Sequence, residues 1–293
     1  MKILGNKKVV DSLNRAIEKK VFVQSYLFCG PEGLGKFLVA KEFAEKLTGD
    51  RDGVVDLNLL IIEPEIEEKD GILKEKEIKL ESIKRLQKEF SLTSFSKNYR
   101  VAIIRSAQKL NISAQNSLLK ILEEPPENTI IILIAEDEKK LLPTIISRCQ
   151  IKRFSLLSET EMSGMIDEAL PNREELIFWS LGRPGLACNL LDKKVELEER
   201  RELVREVQAL FSMSGNEKLL CAEVLSKNTP LLLEKMDLWI ILLRGVILGQ
   251  KSLIVSSPAK ALKLIEKIEE SRRIINSTNS NVRLVVENLV LAF

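Results

Sequence analysis

Gly30-Pro-Glu-Gly-Leu-Gly-Lys36 is the stretch on which the reading of this chain turns. A glycine, four residues, then Gly-Lys is the spacing of a phosphate-binding loop. In a working loop the backbone N–H groups and the helix N-terminus hold phosphate oxygens, the lysine adds a point charge, and a following Ser or Thr ligates magnesium. That makes Gly30, Gly33, Gly35 and Lys36 the candidate nucleotide-binding residues. The pattern then fails by one residue: Phe37 stands where the hydroxyl belongs, and an aromatic ring cannot ligate a metal. The flanks are those the motif requires. Ser25-Tyr-Leu-Phe-Cys29 reads as a buried strand. Apolar residues at 37, 40, 43, 44 and 47 mark one face of a helix over Phe37–Leu47.

Working outward, short apolar runs alternate with helical patterns. Leu57–Ile62, Val101–Ile104, Thr129–Ala135 and Gln150–Phe154 read as strands. Ile78–Phe90 and Ser113–Glu124 read as helices, the second with Ser113 as its N-cap and Pro125-Pro126 as its stop. Continuous apolar strands between helices imply a parallel sheet covered on both faces. The strand Val101–Ile104 should be followed by the acidic pair that completes a metal site, yet Arg105 and Ser106 follow it. No magnesium ligand stands at either expected place, and none is assigned. Beyond residue 155 the strand signals fade. Helical patterns run over 158–170, 173–181, 186–191, 194–211, 219–226, 231–248, 259–276 and 282–293, broken at Gly182-Arg-Pro-Gly185, Ser212–Asn216, Lys227–Pro230 and Ser256–Pro258. The expected fold class is therefore α/β plus all-α. The stripes Trp239, Ile240, Leu242, Leu243, then Leu262, Ile265, Ile268, then Leu284, Val285, Leu289, Val290 fit a helical core or a subunit interface equally well.

Composition narrows the chemistry. The 293 residues carry 45 Lys+Arg against 43 Asp+Glu, a near balance that argues against a strongly basic nucleic-acid binder, and the chain has no histidine. Every histidine-based triad, general base or metal site is thereby excluded. Cys29, Cys149, Cys188 and Cys221 are too far apart for a zinc knuckle, so no zinc is expected. Few cysteines and no apolar leader suggest a cytoplasmic location. The most apolar stretch, Leu231–Gly249, holds four charged residues, too many for a membrane span. Lys84, Arg85 and Lys88 cluster on one helical segment and read as a solvated face in preference to a DNA contact. Cys149 reads as a packed residue.

Several blocks together resemble the clamp-loader ATPase family of the AAA+ class: Ile3-Leu-Gly-Asn6 with Leu13 and Ala16, Ser25–Pro31, Asn116-Ser-Leu-Leu-Lys-Ile-Leu-Glu-Glu-Pro-Pro-Glu127, Leu142-Pro-Thr-Ile-Ile-Ser-Arg-Cys-Gln150, and Asn281–Leu291. The resemblance implies a RecA-like AAA+ domain over 1–155 with a degenerate phosphate loop, a helical lid over 156–193 and a helical collar for oligomerisation over 194–293. It also implies a hetero-oligomeric ring of gamma/tau and delta subunits that opens a sliding clamp and sets it on primer-template DNA. Within Ser147-Arg148-Cys149 it makes Arg148 an arginine finger, catalytic in trans at a neighbouring subunit's ATP. The losses at 37, 105 and 106 fit a non-hydrolysing stator that requires no cofactor, although Lys36 leaves weak ATP or ADP binding open. A small polar residue usual after the fourth strand is replaced by Ala135-Glu136, and the lid's usual arginine by Pro184 with Arg183 beside it. The family's four zinc-binding cysteines are missing, Thr48–Asp56 being too short to hold them. Two alternatives stand beside the stator: an active gamma/tau-type ATPase, and a nucleotide-binding AAA+ switch outside replication. Glu136 could also pair with Lys36 or Arg105 and keep the pocket empty.

Overall fold

The computed structural model describes residues 5–49, 58–69, 72–91, 99–250, 253–254, 256–277 and 281–293. Ile3, Leu4, Leu57 and residues 50–56 of the short stretch without cysteines lie outside them. Two compact units can be distinguished, residues 1–168 with 180–186, and residues 169–179 with 187–293. The stretches 156–168 and 180–186 thus cluster with the sheet.

The first unit runs α1 (Lys7–Lys19), β1 (Ser25–Cys29), α2 (Lys36–Thr48), β2 (Leu59–Ile62), β3 (Ile66–Lys69), β4 (Ile72–Glu75), α3 (Leu80–Ser91), β5 (Arg100–Ile104), α4 (Ile112–Glu123), β6 (Thr129–Ala135), α5 (Pro143–Ile146), β7 (Gln150–Arg153) and α6 (Glu159–Ser163). Five strands form a parallel sheet in the order β2-β5-β6-β1-β7. The apolar runs specify it because both faces are covered. Along β6, Ile130, Ile132 and Ile134 pack with Leu13, Val39, Phe43 and Leu47 from α1 and α2, whereas Ile131, Leu133 and Ala135 pack with Ile83, Leu86, Phe90 and Leu118 from α3 and α4. All seven β6 residues are buried, and each full burial of an Ile or Leu contributes roughly 1.5–3 kcal/mol.

Two local expectations need correction. The cap of α4 is Asn111, whose Oδ1 accepts from Ala114 N at 2.9 Å, and Ser113 lies inside the helix. The helix expected over 158–170 stops at Ser163: Ser158 and Glu161 form a capping box, and Gly164 follows the single turn. The antiparallel pair β3–β4 was not legible, since Glu67, Glu68 and Lys74 interrupt any apolar alternation.

The second unit is helical. Helices α7 (Arg173–Ser180) and α8 (Pro184–Asp192) each have residues in both units. They are followed by α9 (Lys194–Ser212), α10 (Gly215–Leu225), α11 (Thr229–Ile247), α12 (Pro258–Ser277) and α13 (Val282–Val290). Trp239 lies 5.5 Å edge-on to Phe293, which also meets Phe211 at 5.4 Å. Trp239, Leu242, Leu243, Ile268 and Leu289 are buried, as the stripes imply. Leu262 and Leu284 fall off those stripes and are exposed. Arg201 holds Glu175 through Nε and Nη2 at 2.8–3.0 Å, tying α9 to α7. The α/β plus all-α architecture is therefore as expected, and no described helix is long and apolar enough to cross a membrane.

Candidate functional site

The loop after β1 is pinned before it begins to turn. Gly30 N–H donates to Ala135 O of β6 (3.2 Å), and Phe154 N–H donates to Cys29 O (2.7 Å). The chain thus leaves the carboxyl edge of the sheet between two parallel neighbours, where open α/β sheets place their ligand crevice. Gly30 has φ +145°, and Gly33 and Gly35 have φ near +75°. Asn6 of the N-terminal block closes the far side of β7, exchanging hydrogen bonds with Ser155 N (3.0 Å) and O (3.2 Å).

A cavity of about 310 Å³ opens on this loop, lined by Glu32, Gly33, Gly35–Leu38, Arg105, Ser106, Gln108 and Ile134–Glu136. The structure thus brings Gly33, Gly35 and Lys36 together with the positions after β5 and β6. Lys36 is buried, and its ammonium donates back to Gly30 O (2.5 Å) and Pro31 O (2.6 Å). Burial pushes the Lys36 pKa down, against the pull of Glu136 and Glu32. Glu32 is pushed above the ordinary carboxyl range, first by burial and then by the hydrogen-bonded Glu136 carboxyl beside it. Glu136 is also bound by Gln108, which donates Nε2 to Oε1 at 2.9 Å and accepts from Glu136 N at 3.4 Å.

Two of the three degenerate positions, 37 and 105, touch. The Arg105 guanidinium lies 4.4 Å from the centre of the Phe37 ring and pairs with Glu63 at 2.6 Å. Arg105 is therefore not Glu136's partner, because Glu63 at the end of β2 is nearer in the sheet. Nor is Lys36 bonded to Glu136, since its protons go to loop carbonyls; their link is through the electrostatic field. Ser106 has φ +48° and donates Oγ–H to Glu75 at 3.1 Å. A magnesium–nucleotide needs a hydroxyl after Lys36 and a carboxylate after β5. Here a ring and a cation fill those places, and two carboxyls face the phosphate space, so this donor set does not fit that ligand. Arg183 comes against the loop: its Cβ is within 3.3 Å of where a side chain on Gly33 would start, its Nε is buried with no hydrogen-bond partner, and Gly185 N–H donates to Gly33 O at 2.7 Å.

Arg148 belongs to a second locus, on the turn between α5 and β7. Its Nη1 donates to Thr144 O (3.0 Å) and its Nη2 pairs with Glu123 at 2.6 Å. The side chain is about one-third exposed. Cys149, next to it, packs against the sheet core, and burial raises its thiol pKa to about 12. Cys149 is thus the packed residue expected. Lys84, Arg85 and Lys88 are exposed on α3. The residues that sequence reading missed are Glu32, Glu63, Gln108 and Glu123. Only Glu32 carried a signal, a carboxylate inside the phosphate loop; the others meet their partners through tertiary contacts.

Residues 5–158 match the family described as DNA polymerase III, delta subunit. The chain is 31% identical over 228 residues to the DNA polymerase III subunit delta' of Bacillus subtilis, covering 71% of this chain and 66% of that protein. It is 29% identical over 180 residues to the tau subunit of the same organism, covering 57% of this chain and 31% of that protein. The solved structure of a DNA polymerase III gamma-subunit-related protein from Thermotoga maritima shares the fold, with a TM-score of 0.51 at 18% identity, covering 96% of this chain and 97% of that one.

Proposed function

Because the chain belongs to the DNA polymerase III delta-subunit family and is a delta-prime-like clamp-loader subunit, we propose that it hydrolyses no ATP itself and acts as a stator that lends Arg148 to a neighbouring ATPase subunit. On this reading its partners are the gamma/tau and delta subunits. Through the assembly it serves the sliding clamp and primer-template DNA in the cytoplasm, and it needs no metal or nucleotide of its own. The domain roles follow the family: sheet domain over 1–155, lid over 156–193, collar over 194–293. Phe37 stacked under Arg105 at 4.4 Å carries the proposal. Two of the three losses, Phe37 and Arg105, meet in one cation–π contact on the wall of the cavity, a self-consistent non-catalytic pair. Lys36 bonded to its own loop supports the same reading.

Arg148 supplies the positive function. A guanidinium is planar and permanently charged, so it can meet two phosphoryl oxygens at once. Supplied in trans, such a group stabilises the charge spreading over the transferring phosphoryl and accelerates hydrolysis by ~10³–10⁵. The retained Gly30, Gly35 and Lys36, and the match to a tau subunit, favour the competing reading of an active ATPase. Turnover assays separate the two. The purified chain with magnesium and ATP should show no turnover. In the reconstituted complex, Arg148→Ala should lower ATPase by about 10³-fold while the variant still assembles. Brisk turnover by the chain alone, or unchanged turnover in the Arg148→Ala complex, refutes the proposal.

A further inference from the structure

We propose that Glu123 is a positioning residue for Arg148, fixing the plane of its guanidinium before a neighbour's ATP arrives; the inference rests on the finger reading above. Glu123 is the last residue of α4, and its Oε1 lies 2.6 Å from Arg148 Nη2. The second tether, Thr144 O to Nη1 at 3.0 Å, comes from α5. Two different nitrogens are therefore held from two elements, which fixes the fork in two directions. The Nε–H and one proton on each Nη remain for an incoming acceptor. The base of the side chain is equally constrained. Arg148 N–H donates to Ile145 O, Cys149 N–H donates to Ile146 O, and Cys149 packs against the sheet core.

The placement of Glu123 has a local cause. Pro125 and Pro126 end α4, so the carboxylate sits at a helix terminus whose position the buried Ile121 and Leu122 fix against the sheet. The pair is half exposed, 35% for Arg148 and 49% for Glu123, and such pairs do little for folding. Its effect lies elsewhere. A free arginine side chain has many rotamers, and ordering it only when ATP binds would slow the step it assists.

A double-mutant cycle in the reconstituted complex tests this. Glu123→Ala should lower kcat about 3- to 5-fold, the size of an exposed ion pair's coupling, with KM for ATP and assembly unchanged. Glu123→Gln, which keeps an acceptor of the same length, should retain more of the rate. In the Arg148→Ala background Glu123→Ala should have no effect. Unchanged or faster turnover in Glu123→Ala, or an equal loss in both backgrounds, overturns the positioning role while leaving the finger intact. If Arg148→Ala itself changes nothing, the finger reading fails and the positioning role with it. Both sites are at the surface, so melting within about 2 °C of the parent serves as the folding control.

Discussion

Gly30→Ala is the sharpest test of why a loop whose donor set does not fit a magnesium–nucleotide keeps a nucleotide-loop sequence. A Cβ built on Gly30 lies 2.2 Å from Phe154 O and 3.1 Å from its carbonyl carbon. Those atoms are not free to retreat, because Phe154 N–H donates to Cys29 O at 2.7 Å and its buried ring packs 5.4 Å from Phe28. The backbone at φ +145° is also a region that side chains avoid, at roughly 1–3 kcal/mol. Breaking the Phe154–Cys29 hydrogen bond adds about 1 kcal/mol, and disturbed packing of the Phe154 ring about 1 more. The total is about 3–5 kcal/mol. For a unit of this size each kcal/mol moves Tm by roughly 2–4 °C, so calorimetry of the full chain should show the first unit's transition lowered by about 10 °C. Gly35→Ala is the matched control. It too has positive φ, +78°, but nothing lies within 4 Å of its added Cβ, so the loss should be about 1–2 kcal/mol. If Gly30→Ala melts with Gly35→Ala or with the parent, the first glycine is not held by contact with the end of β7, and the structural explanation for the retained loop is wrong.

Further outcomes follow from groups held away from their ordinary chemistry. Burial lowers the Lys36 pKa, so the unfolded chain binds the extra proton between that lowered value and 10.5. Stability should therefore rise with pH across that window. Urea melts at several pH values should show the rise in the parent and lose it in Lys36→Met. A thiol with a pKa near 12 instead of 9 has about 10³-fold less thiolate at neutral pH. Mass spectrometry after iodoacetamide treatment should find Cys149 unmodified in the folded chain and alkylated in denaturant; rapid modification without denaturant would contradict the packing. For Arg148→Ala and Glu123→Ala, the expected losses are about 10³-fold and 3- to 5-fold in the assembled complex.

The sheet was legible because its information is local. Thr129–Ala135 is apolar at every position but the first, and only a strand covered on both faces makes that pattern favourable. The phosphate-loop spacing, Phe37 and the missing acids at 105 and 106 could likewise be read directly. The first-turn cap of α4 could not, because Asn111 and Ser113 are both good caps and the bridge between Ile78 and Leu110 selects where the helix enters. What the side chains at positions 37, 105 and 106 meet was decided only by tertiary structure. Glu63 and Arg105 are 42 residues apart, Glu123 and Arg148 are 25 apart, and each pair meets because parallel strands and their crossover helices bring successive loop ends to the same sheet edge. Sequence order carries residue type and local period. Which charge neutralises which is set by the register of strands that are distant in sequence, and on that register depends whether Arg148 stands ready or merely exposed.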